Sequence, residues 1–167
     1  MSDTRVASMM RPAANGIERR AIAWWMLRSL LSWGSILAVL IAVALLWSST
    51  WPWLIAPIIG ASVLLLVLLF VAPWWRFRVH RWEITDRATY ATTGWVVQEW
   101  RVAPTSRIQT VDAVRGPLEQ FLGLSTLRVT TASSAGAINI VGLDRRTAEH
   151  AASQLAAVAE LSEGDAT

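Results

Sequence analysis

The chain contains no cysteine and no lysine, and a long stretch of it carries no charge. Without cysteine, disulfides, thiolate catalysis and cysteine-ligated metal sites are excluded. Because every basic residue is arginine, few groups titrate below about pH 12, so the pI near 10.9 overstates a net charge of only +3. Nucleic-acid binding usually shows as a clustered basic patch, whereas these arginines gather at the ends of the uncharged stretch. We therefore expect no nucleic-acid partner.

The uncharged stretch lies between Arg28 and Arg76 and is mostly Leu, Val, Ile, Ala and Trp. One helical crossing of a bilayer needs about 20 apolar residues. The length therefore predicts a transmembrane hairpin over 29–75, with spans at about 30–48 and 54–72. A cleaved signal peptide is not expected, because the polar lead is too long and a second span follows.

Tryptophans flank both predicted spans. The amphipathic indole ring is favoured where a membrane meets water. The predicted interface anchors are Trp24, Trp25, Trp47, Trp51, Trp53, Trp74 and Trp75. This placement favours a membrane hairpin over a soluble core rich in tryptophan.

Arginine occurs on both sides of the hairpin, and the loop from Ser49 to Trp53 has none. By the positive-inside rule, segment 1–28 and the region after the hairpin are predicted to be cytoplasmic. The chain is then expected in the plasma (inner) membrane, with two spans and both termini in the cytoplasm.

The role of the hairpin is left open. Small residues near one face of the first span favour close helix packing, and they are Gly34, Ser35, Ala38 and Ala42. The hairpin is either an anchor alone or a surface for other helices, including those of a second copy. Because the spans hold no ionisable side chain, we do not expect a transporter or pump.

Region 76–161 has the pattern of one small domain rich in strands. Imperfect alternation from Phe77 to Ile84 predicts a first strand. Further strands are predicted at 88–92, 95–102, 107–114, 126–131 and 137–141, with a hairpin turn at 93–94. A short helix is expected to begin at Pro117 and to end at Gly123.

An amphipathic helix is predicted over about 145–161, with Asp144 as its N-cap. Its apolar stripe consists of Ala148, Ala151, Ala152, Leu155, Val158 and Ala159. The polar tail 162–167 is expected to be flexible. The sequence thus predicts an α+β chain, in which a two-helix transmembrane hairpin precedes a small antiparallel β-barrel or sandwich capped by a C-terminal helix.

Three segments carry a family resemblance: Ile84-Thr85-Asp86-Arg87, Ser106 to Val111, and Gly116 to Leu124. With the preceding hairpin they resemble the bacterial PH-like domains of the membrane-flanked, YdbS-like type. The likeness covers about Trp75 to Val141 well and the terminal helix loosely. It implies a PH-like barrel capped by a C-terminal helix, with no known catalytic residue and a largely undefined biochemical role.

Only two histidines occur, His80 and His150. A catalytic triad or a zinc site needs convergent partners, and no spacing of His, Asp and Glu supplies them. Each histidine is therefore predicted to be a surface or structural residue. We expect no enzyme, no catalytic residue, no metal and no cofactor.

Four arginines after the hairpin are candidates to face anionic lipid, where each could gain about 1 kcal/mol. They are Arg76, Arg78, Arg81 and Arg87. Their position beside the membrane is already explained by topology, so specific headgroup recognition does not follow from it.

Arg107 has two interpretations. Its guanidinium could bind a partner's carboxylate or a lipid phosphate, or it could form a structural salt bridge with Asp112, Asp86 or Glu119. The loop 132–136 or an exposed strand edge could accept a peptide by strand addition.

Three functions remain at this point. The leading hypothesis is a membrane-anchored PH-like binding module, a protein-interaction or scaffold component at the cytoplasmic face. The second is an anionic-lipid sensor that uses the four arginines. The third, more distant, is an accessory subunit of an enzyme or transporter complex.

Overall fold

The computed structural model describes residues 13–132 and 136–164. Its helices in these ranges are α1 (Arg20–Leu46), α2 (Ser48–Val79), α3 (Pro117–Leu122) and α4 (Arg145–Gly164). Its strands there are β1 (Asn15–Gly16), β2 (Arg81–Ile84), β3 (Ala88–Gly94), β4 (Gln98–Pro104), β5 (Ile108–Val114), β6 (Leu124–Thr131) and β7 (Ile138–Asp144). A helical hairpin is thus followed by two antiparallel sheets and a C-terminal helix, which confirms the predicted α+β class.

The helices α1 and α2 form the hairpin, and both are long and apolar enough to cross a membrane. Trp47 leaves the helical conformation, with φ −126° and ψ 90°, and α2 begins at the next residue. The Thr50 hydroxyl donates a hydrogen bond of 2.6 Å to the Trp47 carbonyl and closes the turn. After this turn the α-helical part of α2 begins at Trp51, so Pro52 lies in its first turn, where its missing N–H is not needed, whereas Pro57 lies inside the helix.

The predicted first strand, Phe77 to Ile84, is wrong in its first half. The helix α2 continues to Val79, and β2 begins only at Arg81. Nothing between Trp75 and Val79 stops the helix, so its hydrogen bonds continue until His80, whose N–H still bonds the Arg76 carbonyl at 2.8 Å. Apolar and polar residues that alternate over a short stretch are weak evidence for a strand where a preceding helix can continue.

The sheets have the strand orders β1-β2-β3-β4 and β5-β6-β7. The strand β1 was not predicted, and it pairs Asn15 with Trp82 at one edge. The predicted third strand, 95–102, is shifted along the chain. Gly94 pairs with Gln98, so residues 95–97 make the turn and β4 runs on to Pro104.

The main core lies between the two sheets and α4. It contains Ala91 and Ala103 from the first sheet and Leu127 and Val129 from the second. The helix α4 contributes the buried side chains of Ala148, Ala151 and Leu155, as its predicted apolar stripe requires. The side chain of Ala159, and residues 165–167 of the predicted tail, lie outside the described part of the chain.

A second, smaller core joins α1 to the sheets. Ile17, Ala21, Trp25 and Leu124 form this cluster. The Glu18 N–H also bonds the carbonyl of Gly142 at 2.9 Å. The start of α1 is therefore packed against the domain.

Asp144 caps α4 as predicted. Its Oδ1 accepts the Arg146 N–H at 2.9 Å, and its Oδ2 lies 2.8 Å from Arg20 Nη2. The backbone bond from Arg146 is the largest cause of a lowered Asp144 pKa, and Arg20 lowers that pKa further. The cap thus also ties α1 to α4.

We expect Asp144→Asn to lower the thermal midpoint slightly at neutral pH and not at low pH. The folded pKa is depressed, so the stabilisation is present above the unfolded pKa of about 3.9 and is lost as pH falls through the lower folded value. Asparagine keeps the cap acceptor, and other carboxylates titrate alike in both proteins. The gap between the unfolding midpoints of the two proteins should therefore be smaller near pH 3 than at pH 7; an equal gap at both would contradict this expectation.

Candidate functional site

A cavity of about 380 Å³ opens between α1 and α2 at the end of the hairpin that carries the sheets. We call it the interhelical pocket. Its polar lining includes Arg28 and Ser32 from α1 and Arg76 from α2, and its aromatic walls are Trp25 and Trp33. The site therefore combines two cations with an amphipathic wall.

The two arginines have no acidic partner within the described residues. Ion pairs in 13–132 and 136–164 join other arginines, such as Arg20 with Asp144, and none of them involves Arg28 or Arg76. The two guanidinium charges repel each other instead. An anion placed between them would remove this repulsion and accept their hydrogen bonds.

Two indole rings hold Arg76 in place. Its guanidinium carbon lies 5.8 Å from the Trp25 ring centre and 5.7 Å from that of Trp95, in the turn between β3 and β4. A cation over an aromatic face gains about 0.5–2 kcal/mol. Contacts from both α1 and the sheet thus fix the position of this charge.

His80 contacts both Trp25 and Arg76. It is buried, its ring lies 5.1 Å from that of Trp25, and its Nδ1 lies 2.8 Å from the Arg76 carbonyl. Burial lowers the pKa of His80, the Arg76 charge lowers it further, and the backbone contact opposes them. The ring is therefore neutral at pH 7 and donates through Nδ1, because a carbonyl can only accept. This matches a structural role, whereas His150 is exposed on α4.

The four arginines predicted to face lipid do not form one group. Arg76 lines the pocket, Arg78 is exposed on α2, and Arg81 is exposed at the start of β2. Arg87 follows the far end of β2, where its carbonyl accepts the N–H of Thr105. The set predicted from the sequence thus divides into a membrane-side part and a distant residue.

Arg28 is absent from that predicted set, although the sequence does contain the signal. It is the last charge before the first span, and Arg76 is the first charge after the second. The two ends of an antiparallel hairpin meet, so the sequence places both residues at the same end, and the fold brings them to one cavity.

Of the predicted interface anchors, Trp25 needs correction. It is 5% exposed and packs against His80, so the protein rather than an interface surrounds it. Exposed indoles occur at both ends of the hairpin, and they are Trp47, Trp51, Trp53, Trp74 and Trp75. Trp24 is half-buried, and its ring centre lies 6.0 Å from that of Trp25, with the two rings tilted by 37°.

The expected salt bridge of Arg107 is not found within the described ranges. Glu119 instead accepts hydrogen bonds from the Gly116 N–H and the Thr126 hydroxyl, both at 2.7 Å. Arg107 is exposed and lines a second cavity of about 310 Å³ beside β4. Residues 133–135 of the loop predicted to accept a peptide lie outside the described part of the chain.

Metal coordination finds no support in residues 13–132 and 136–164. No group of three or more His, Asp and Glu side chains converges there in a way that could hold an ion. The side chains of the interhelical pocket are suited to binding an anion.

Comparison with known proteins agrees with this architecture. The sequence profile of the bacterial PH domain family matches residues 20–159, which include both hairpin helices. The UPF0699 transmembrane protein YdbS of Bacillus subtilis (strain 168) is 28% identical over 160 residues, covering 94% of this chain and 99% of that protein. No solved structure matches the chain. The two apolar helices and the likeness to a transmembrane protein together indicate a membrane location.

Proposed function

Because the chain belongs to the bacterial PH domain family and is anchored in a membrane, we propose that it is a non-enzymatic module that binds an anionic lipid headgroup between its membrane helices. One observation carries this proposal. Arg28 and Arg76 line the same cavity at the end of the hairpin, and neither has a carboxylate partner among the described residues. Basic pockets between transmembrane helices are suited to phospholipid headgroups.

The proposal includes an orientation, with the pocket and the sheets at the cytoplasmic face of the inner membrane. The hairpin loop from Trp47 to Trp53 is free of arginine, and both arms end in arginine. This asymmetry supports cytoplasmic termini by the positive-inside rule.

The chemistry of the pocket favours an anionic lipid over a zwitterionic one. Guanidinium groups form forked hydrogen bonds with phosphate or carboxylate oxygens. A zwitterionic headgroup would bring its own ammonium close to Arg28 and Arg76, which already repel each other. The indole of Trp33 gives the glycerol and upper acyl region an amphipathic surface.

Glutamine in place of Arg76 is expected to weaken anionic lipid binding about tenfold or more, because one charged hydrogen bond contributes about 1.5–3 kcal/mol. Arg28→Gln should weaken it similarly, and the double variant should lose lipid selectivity. Native mass spectrometry of the full chain, titrated with an anionic and a zwitterionic phospholipid, measures both affinities.

Arg78→Gln is the matched control. Arg78 is exposed on the same helix, close in sequence to Arg76, and does not line the pocket. It should change affinity only through general electrostatics and leave selectivity intact. If Arg78→Gln and Arg76→Gln reduce binding equally, the arginines act as a diffuse charge and the pocket is not a site.

A second candidate function is protein binding at the edge strand β4. Among the described strands, β4 pairs with β3 alone, and Trp100 and Val102 are exposed on it beside the cavity that Arg107 lines. An unpaired edge with apolar side chains suits strand addition by a partner segment. A scaffold role of this kind depends on β4 and would survive loss of both pocket arginines.

A further inference from the structure

The turn between β3 and β4 is apolar where hairpin turns are usually polar. It consists of Trp95, Val96 and Val97, and we call it the hydrophobic tip. Val96 is 76% exposed and Val97 is 71% exposed. Two adjacent aliphatic side chains at the end of a hairpin lie in water at a cost, unless something covers them.

The backbone at Gly94 sets the shape of the tip. Gly94 has φ +106°, and a Cβ there would overlap the carbonyl oxygen of Val97. Glycine therefore permits the tight return of the chain that begins at the Gly94–Gln98 pair. The tip is a consequence of this turn and projects its side chains beyond the end of the sheet.

Strand register shows that the tip points toward the membrane helices. Arg81, where β2 begins, pairs with Thr92, so β3 continues past the start of β2. The advance from Thr92 to Gly94 covers about 7 Å at about 3.3 Å per residue. This extension runs back alongside the last turns of α2.

A direct contact shows the position of the tip along the axis of α2. The Trp95 ring centre lies 5.7 Å from the guanidinium carbon of Arg76. Arg76 lies one helical turn, about 5.4 Å, on the membrane side of His80. The neighbouring Trp74 and Trp75 are exposed, as expected for indoles at a membrane interface.

We propose that the hydrophobic tip inserts into the interfacial layer of the same bilayer that α1 and α2 span. The tip is then a third point of membrane contact, beside the two helices. Its occupant is lipid, because the tip adjoins the membrane-spanning surface itself. Charge agrees with this assignment: no charged residue occurs from Ala88 to Gln98, and Trp95 of the tip contacts the cation of Arg76.

Insertion of the tip is independent of the headgroup proposed for the interhelical pocket. It relies on apolar side chains, so it should occur in zwitterionic as well as anionic bilayers. A test in zwitterionic vesicles can therefore fail or succeed without deciding whether the pocket binds an anion.

The absence of cysteine makes the experiment direct. Val96→Cys introduces a single thiol for an environment-sensitive fluorophore in the full chain, reconstituted in zwitterionic vesicles. Asp86→Cys is the matched control, since Asp86 is exposed in the turn at the opposite end of the same strands. Both positions are exposed, so neither change removes core packing. Nitroxide-labelled lipids and aqueous iodide serve as the two quenchers.

We expect lipid nitroxides to quench the label at position 96 and iodide to quench it several-fold less than the label at position 86. Equal iodide quenching at both positions, without lipid quenching, would show a solvent-exposed tip and overturn the proposal. Protection from iodide without lipid quenching would show that protein covers the tip, and this too would overturn it.

Discussion

Replacement of Gly142 by alanine is expected to destabilise the domain by about 3 kcal/mol, from about 1–2 kcal/mol of backbone strain and a similar term for overpacking. Gly142 has φ +73°, a left-handed conformation that side chains disfavour. A Cβ there would lie 2.7 Å from the Cβ of Ala21 on α1. The residue sits in β7 where the pairing with β6 shifts between Ser125 and Leu127, and this bulge lets α1 approach the sheet.

Gly136→Ala is the matched control. Gly136 has φ +76°, and no atom of the described residues lies within 4 Å of a Cβ built there, so the strain is the expected effect. Thermal unfolding of the full chain in detergent gives both effects. Hydrogen exchange of the Glu18 amide, which bonds the Gly142 carbonyl, should become faster only in Gly142→Ala. Equal destabilisation by the two changes would contradict close packing of α1 on β7.

Trp25→Ala should cost about 3–5 kcal/mol, the range for a buried aromatic side chain. The indole fills the small core with Ala21 and Leu124, and it contacts His80 and the guanidinium of Arg76. Its removal should also weaken anionic lipid retention, because Arg76 loses one of the two rings that position it. Unfolding midpoints and the lipid titration described above measure the two effects.

Trp53→Ala provides the comparison. Trp53 is 81% exposed at the opposite end of the hairpin, so its loss should change domain stability by no more than about 0.5 kcal/mol. The same amount of side chain is removed in both variants, and only burial differs. Similar unfolding midpoints for the two variants would show that the small core contributes little.

The hairpin and the domain type were accessible from the sequence, because each rests on a strong local signal. The uncharged stretch before Arg76 predicted two apolar helices, and these are present. Pro117 and Gly123 predicted the bounds of α3, and Gly123 indeed has φ +68°. Asp144 predicted the start of α4.

Other elements escaped prediction because they depend on tertiary contacts. The strand β1 is only Asn15–Gly16, and it is defined by pairing with Arg81 and Trp82, which are distant in sequence. Phe77 and Val79 alternate like a strand, yet the membrane helix extends through them. In neither case does the local sequence contain the contact that decides the secondary structure.

The sequence predicted only part of the candidate site. Arg76 was predicted to face lipid, but Arg28 was not paired with it, since topology rather than spacing brings the two together. Trp95 was assigned to a strand, so its contact with Arg76 was missed. The apolar turn 95–97 had no polar turn signal, which moved the predicted strand toward the N-terminus.

The pairing of β1 with β2 has a consequence for biogenesis. Asn15 leaves the ribosome before either membrane helix, but its partner Trp82 follows both of them. The first sheet therefore cannot be completed until α1 and α2 have been synthesised. Closing so long a loop is slow unless its ends are already near each other, and an inserted hairpin brings them together. We therefore expect membrane insertion of the hairpin to precede completion of the first sheet.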